Sequence, residues 1–207
     1  MTIRRFGEWG KLIPRPKVIE ICNSDTQIAK VATKFLSSGL QIPHIRATAG
    51  SLAISLGDAL TMPNSEVREL PIDLLHVSYS TDGGAQRTSI AANSVLMRNR
   101  LWTGQIVAVT NSGYLGNWEI APRAHPNDGV FDVVEVSADM SWRQRLIARH
   151  RLPRGTHMPH PSVGVRQCSS ESWIFAKPTG LYLDDEFVER TTHVHITIEP
   201  DALNLVI

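Results

Sequence analysis

The chain has 207 residues, 42% of them hydrophobic and 20% charged, which suits a globular protein with a sizeable core in one large or two small domains. A formal net charge of +1 excludes a molecule-wide electrostatic trap, so no nucleic-acid partner is expected and charge can act only through local clusters. Cys22 and Cys168 are too few for a disulfide framework, and no window approaches the roughly 18 apolar residues of a membrane span.

Residues 1–16 are basic and proline-bearing, lack the apolar stretch of a secretory signal and read as a loosely held arm; a cytoplasmic location is the expectation. "KVIEIC" predicts a short buried strand. In "NSDTQIAKVATKFL", Ile28, Val31, Ala32 and Phe35 fall at helical spacing, with Ser24 or Asp25 placed to cap. "LQIPHIRAT" predicts a second strand and "AGSLAISLGDAL" a second short helix, an α/β alternation. The character changes near Met62-Pro63. "IDLLHVSYS", "GQIVAVTNSG" and "VFDVVEV" read as strands, and "TDGGA" as a hairpin turn that uses Gly83 and Gly84. "HVHITIEP" alternates, with Val194, Ile196 and Ile198 on one face and His193, His195 and Thr197 on the other; "LNLVI" ends in the same mode.

One helix interrupts the β region. In "SWRQRLIARHRL", Ser141 is the expected cap, and Trp142, Leu146, Ile147 and His150 share a face. Arg143, Arg145, Arg149, Arg151 and Arg154 make it basic, either as a solvated face or as a site for anionic lipid headgroups. His150, His157, His160 and Cys168 fit no standard zinc spacing, and Pro159 and Pro161 crowd that stretch, so zinc is not expected. Ser112 sits in no G-x-S-x-G frame, against a hydrolase elbow. The five tryptophans are scattered and read as core or rim.

"NSGYLGNWEIAPRAHPNDGVFDVVEV" resembles the signature of the diacylglycerol kinase and sphingosine kinase family of lipid kinases. There an Asn-bearing strand leads through a Gly-rich turn to P-x-A-x-x-x-D-G and a strand. "LPRGTHMPHPSVGVRQ" resembles the family's Gly-His turn, and "GLYLDDEFVE" its D-G-E motif. The resemblance implies a truncated α/β nucleotide-binding remnant over residues 1–66 and an antiparallel β-sandwich over 67–207, as in NAD kinase and diacylglycerol kinase folds.

By the same resemblance, Asn23-Ser24-Asp25-Thr26-Gln27 stands where the family has G-G-D-G-T, and residues 47–54 stand where it has G-T-G-N-D-x-A-R. Asp25, Ser24, Thr26, Thr48 and Gly50 are thus the candidate nucleotide contacts, with Asp25 at the metal–phosphate site. Glycines would let backbone N–H groups reach the phosphates; Asn23, Ser24 and Thr26 place side chains there, and Ile54 replaces the family's Arg. ATP is therefore a doubtful ligand. Glu186 matches the family's general base and Asp184 its neighbouring Asp, while Asp185 replaces a glycine. A strand-end turn with three solvated acids is the alternative. Asp128 matches the Asp that holds a structural Mg²⁺ with main-chain carbonyls, here near His125 and Val130; a plain type I turn is the alternative.

The implied function is ATP-dependent phosphorylation of a lipid hydroxyl, weakened or lost here, leaving a lipid-binding homologue at a peripheral membrane surface. The alternatives are an active lipid kinase completed by a partner chain or by homo-oligomerisation, and a non-catalytic scaffold subunit. A homo-oligomer is expected in each case, because a shortened sheet exposes an edge.

Overall fold

The computed structural model describes residues 9–57, 65–81, 83–152 and 160–207. The change at Met62-Pro63, Asp82 of the hairpin turn, Arg154, His157 and Pro159 lie outside those residues. From Lys11 the expected loose arm is instead a strand, β1 (Lys11–Pro14), paired antiparallel with the start of β4 (Glu66–Ser80). The bare edge of β4 offers backbone groups that the arm satisfies. Just before it, the Trp9 indole donates to the Pro71 carbonyl (3.3 Å), and its ring meets His125 edge-on.

The α/β alternation follows as β2 (Ile19–Cys22), α1 (Asp25–Ser37), β3 (His44–Ala47) and α2 (Ser51–Leu56). The Ser24 hydroxyl caps α1 by accepting from the Gln27 N–H (3.2 Å), and the helix buries Ile28, Ala29 and Ala32, with Val31 and Phe35 half-buried. β2 and β3 run parallel, and β3 meets the long β13 (Glu186–Val206) where Ile45 faces Leu205. The α/β part and the β part thus share one hydrogen-bonded sheet. One core cluster joins Ile28, Ile45 and Leu52 to Leu70, Ile72, Leu203 and Leu205.

The sheet runs β1-β4-β13-β12-β6-β7-β10-β11, with β5 (Gln86–Ala91) on β4; the other strands are β6 (Ser94–Arg98), β7 (Ile106–Thr110), β10 (Phe131–Val136), β11 (Val163–Cys168) and β12 (Ser170–Leu183). Two long strands serve two cores because their alternate residues face opposite sides of the sheet. In β13, Val194 and Ile196 enter the sandwich core, but Leu203 and Leu205 enter the cluster under α1. Between them β13 carries two more residues than β4, with Glu199 opposite Leu74 and Leu203 opposite Ile72, and Asp201 in this bulge has φ 54°. In β4 the adjacent Leu74 and Leu75 are both fully buried, one in each core.

β6, β7 and β10 are apolar on both faces because both are covered. Val95, Met97, Val107, Val109, Phe131 and Val133 face the sandwich core. Their neighbours Leu96, Ile106, Ala108 and Val134 face a third cluster under the β8–β9 hairpin (Tyr114–Leu115, Trp118–Glu119) and α3 (Trp142–Arg151). Ser141 and Gln144 form a full capping box at the start of α3. The face expected from its spacing exists but points outward: Trp142, Leu146 and Ile147 are more than half exposed. Only Ala148 and Leu152 pack beneath it.

Candidate functional site

The two helix N-termini of the α/β part, where anions would be drawn by backbone N–H groups, are already occupied by the chain's own side chains. At α1, Ser24 takes the Gln27 N–H, and the Gln27 side chain accepts from the Asn23 N–H (2.9 Å). At α2, the Asp25 carboxylate accepts from Ser51 N–H (2.7 Å) and Leu52 N–H (3.1 Å). Gly50 makes that possible: it has φ 105°, and a Cβ there would lie 2.5 Å from an Asp25 oxygen. Thr48 folds back on the Cys22 carbonyl through both its N–H (2.8 Å) and its hydroxyl (3.1 Å). Burial raises the Asp25 carboxyl, against the two amides that favour its charge.

Thr26 donates to the Asp184 carbonyl (2.6 Å), and Lys30 on the same helix pairs with Glu186 (2.7 Å). So Asp25, Thr26, Asp184 and Glu186 do converge, at the two-residue turn between β12 and β13. Within that turn the three acids differ. The Asp184 carboxylate is buried and accepts three amides of the β5–β6 turn, from Ala92 (2.7 Å), Asn93 (2.9 Å) and Ser94 (2.8 Å). Burial, opposed by these amides, pushes it up to about 7. Asp184 therefore ties the turn to the start of β6. The Glu186 side chain is about half exposed and, among the described residues, is held by an exposed ion pair to Lys30 that costs little to open.

Asp184 and Asp185 have φ 45° and 70°, the pattern of a tight hairpin that glycine favours at its second position. A side chain in that region costs roughly 1–2 kcal/mol, of which glycine's greater freedom when unfolded returns about half. Asp185→Gly should accordingly raise the melting temperature by about 1–3 °C in a thermal melt followed by circular dichroism. A lower value than the parent would mean that the Asp185 side chain has a partner holding it.

Asp128 stands apart from this cluster, on the loop between β9 and β10. Burial, with Asp132 and Asp73 nearby, pushes its carboxyl up to about 6. A buried carboxylate outside the motif holds this loop. Asp73, fully buried in β4, accepts from Gly129 N–H (2.8 Å), Asp201 N–H (2.9 Å) and the Asn127 amide (3.2 Å). Loop and bulge are thereby tied to one strand. The sequence signal was a lone Asp inside the apolar "PIDLL", since a buried carboxylate needs partners. The side-chain oxygens of Asn127 and Asn111 are buried there without a donor. Among the described residues no three His, Cys, Asp or Glu side chains gather to hold a metal ion, so a hard cation here would rest on the Asp128 carboxyl and main-chain carbonyls.

Between α3 and the outer face of β6, β7 and β10 lies an apolar cavity of about 360 Å³. Leu96, Ala108, Leu115 and Val134 line its depth, and Trp102, Trp118 and Trp142 stand around it. These tryptophans, scattered in the sequence, converge because sheet pairing brings the three segments together; Trp102 and Trp118 meet edge-on at 6.2 Å. Two relays of contacts link the cavity to the acidic turn. Arg98 lies over the rings of both Trp102 (4.1 Å) and Tyr182 (4.3 Å), and Tyr182 meets Phe187, next to Glu186. Beside Leu115, Gly116 N–H donates to the Ser51 hydroxyl (3.1 Å) at the Asp25 end of the cluster. At the turn preceding this hairpin, Gly113 has φ 83°, and a Cβ would strike the Ala121 carbonyl at 2.4 Å, so only glycine fits.

No helix among the described residues is long and apolar enough to cross a membrane. No curated protein matches the sequence. Among solved structures, two described as diacylglycerol kinases from Bacillus anthracis str. Sterne share the fold at TM-score 0.54, with 12% and 13% identity. A third, from the same organism, does so at TM-score 0.50 and 14% identity. Each alignment covers 90% of this chain and 76% of the other. Residues 81–207 match the model of the YegS C-terminal NAD kinase beta sandwich-like domain. The match spans β5 to β13, the acidic turn and the walls of the cavity, and the chain belongs to that family, on the fold of the diacylglycerol kinases.

Proposed function

We propose that this protein is a lipid-binding member of the lipid-kinase family that holds an apolar chain in the cavity beneath α3 and transfers phosphate weakly or not at all. The observation that carries the reading is the cavity itself. Its volume of about 360 Å³ lies within the range of about 300–1,000 Å³ usual for ligand sites. It is lined almost wholly by apolar side chains and is linked through Trp102, Arg98, Tyr182 and Phe187 to the turn that presents Glu186. A lipid with its chain in the cavity would bring its polar end toward that turn, where Glu186 is the candidate base.

The doubt about ATP rests on the helix N-termini. Phosphoryl transfer relies on positioning and charge stabilisation around the phosphates. Here the amides that would cradle them are engaged by Ser24 and Asp25, and Asp25 fills the space over Gly50. ATP does not fit these residues as they stand. Mg²⁺ fits better, at Asp128 with the carbonyls near His125 and Val130. There it would supply positive charge that lets Asp128 ionise and would fix the loop, a structural part rather than a step in a reaction.

A second reading has one observation behind it. Among the described residues β2 is hydrogen-bonded on one side only, to β3; Ile21 in it (70%) and Val18 just before it (64%) are exposed. A partner strand, from a second copy or another chain, would cover that edge and extend the α/β part toward a working kinase.

Calorimetry separates the readings. Titration with dioctanoylglycerol should show saturable binding that Ala108→Phe, which fills the cavity, reduces at least tenfold, while Mg-ATP gives no saturable heat. Circular dichroism checks that the variant folds. Micromolar Mg-ATP binding would instead favour the kinase, and neither ligand binding would favour a scaffold subunit.

A further inference from the structure

The mouth of the cavity is ringed by side chains that a water-soluble surface does not call for. Trp142, Leu146 and Ile147 on α3 are 65%, 55% and 54% exposed, and Leu101 on the facing β6–β7 loop is 78% exposed. The loop is built to present that tip. Asn99 holds Thr103 through its amide and carbonyl (2.5–2.9 Å), and Trp102 between them is kept at φ 56°, a strained conformation for a bulky residue. Interleaved with these apolar groups are Arg100, Arg143, Arg149 and Arg151, all exposed. None of the four makes an ion pair among the described residues. The nearby acids do not neutralise them: Glu135 is bound to Arg166 (2.9 Å), and Asp139 acts on Arg145.

We propose that the outward face of α3 and the Arg100–Leu101–Trp102 tip form a docking surface for an anionic lipid bilayer, from which the cavity takes its apolar chain. This rests on the lipid-binding reading above. Protein–protein interfaces concentrate apolar residues at a centre depleted of charge. Here arginine and apolar residues alternate along a single helix side, as in helices that lie at a membrane surface. Tryptophan suits the headgroup level, and arginine can lay its stem along hydrocarbon while its head meets phosphate. The cavity opens within this patch, since Leu101, Trp102, Trp142 and Leu146 both line it and are exposed. A chain leaving the bilayer would then enter without crossing water.

Co-sedimentation of the full chain with vesicles tests the surface. The wild type should bind phosphatidylcholine vesicles containing 30% phosphatidylglycerol and leave pure phosphatidylcholine vesicles in the supernatant. The triple variant Arg143→Glu, Ile147→Ser, Arg151→Glu substitutes no residue that lines the cavity. It should lose at least roughly tenfold in partitioning onto the anionic vesicles, since each basic residue contributes severalfold there, while its binding of dioctanoylglycerol in solution stays unchanged. Vesicle binding that the variant retains, or a wild type that ignores anionic vesicles, overturns the proposal. So does a concentration-dependent dimer lost in the variant without vesicle binding, which would assign the face to a second copy. Failure of the lipid-binding reading looks different: dioctanoylglycerol would not bind either protein, whatever the vesicles do.

Discussion

Asp184→Ala should lower the melting temperature by roughly 10 °C, corresponding to about 4 kcal/mol. The carboxylate is buried and accepts the amides of Ala92, Asn93 and Ser94. Removing it leaves three donors without an acceptor in a space too small to hydrate freely, and each such orphan costs about 1–3 kcal/mol. Alanine also tolerates the positive φ of this position less well than aspartate does. Asp184→Asn keeps the shape and one acceptor oxygen, so its loss should be smaller. The pH dependence carries its own sign. With its carboxyl raised to about 7, the folded chain keeps a proton that the unfolded chain releases near pH 4. That stabilisation is complete below about pH 4 and lost as the pH rises through about 7. Asp25, Asp73 and Asp128 are raised in the same direction, so the variant should remove part of the slope. Melts at pH 4, 6 and 8 measure both effects; a variant within 2 °C of the parent would free Asp184 for a role at the substrate.

The three-acid turn shows how far the sequence could be read. "YLDDE" announces a hairpin end with carboxylates, and the φ of 70° at Asp185, which replaces a glycine, is one that glycine takes more easily. Which carboxylate faces water is set by the β5–β6 turn, some ninety residues earlier, and no local pattern encodes that. Likewise α1 was legible from its period and its Ser24 cap, because both are local. The engagement of Asp25 by α2 was not, since it depends on the parallel pairing of β2 and β3. "GQIVAVTNSG" signalled a strand through its apolar run, but not that its two faces serve different cores. The tryptophan-walled cavity was invisible for the same reason: Trp102, Trp118 and Trp142 meet only after β6, β7 and β10 pair. The apolar face of α3 was found correctly, yet spacing alone does not say whether such a face looks in or out.

How α3 stays over the cavity leads to the other large effect. The helix has no buried residue, and little apolar contact beyond Ala148 and Leu152 holds it down. Its attachment falls to Arg145, whose guanidinium donates to four backbone carbonyls: Met140 (2.9 Å), Trp102 (3.2 Å), Gly104 (2.6 Å) and Ser137 (2.8 Å). These belong to two segments, the 99–104 loop and the turn before α3, so one side chain ties both sides of the cavity mouth. Hydrogen bonds from a charged donor are worth about 1.5–3 kcal/mol each where water is excluded, but this group is half-buried and some carbonyls would find water. Arg145→Met should therefore cost about 2–3 kcal/mol, or roughly 5–10 °C in the melt. It should also loosen the mouth, seen as increased fluorescence of an apolar dye and faster release of bound dioctanoylglycerol. Arg145→Lys should recover less than half of the loss, because an ammonium cannot span four carbonyls with a planar fork. Arg143→Met, on the outward side of the same helix, should melt within about 1 °C of the parent. Equal losses at both positions would mean that helix propensity, and not the carbonyl cluster, keeps α3 in place; a stable Arg145→Met with unchanged release would mean that the mouth is held by its tryptophans.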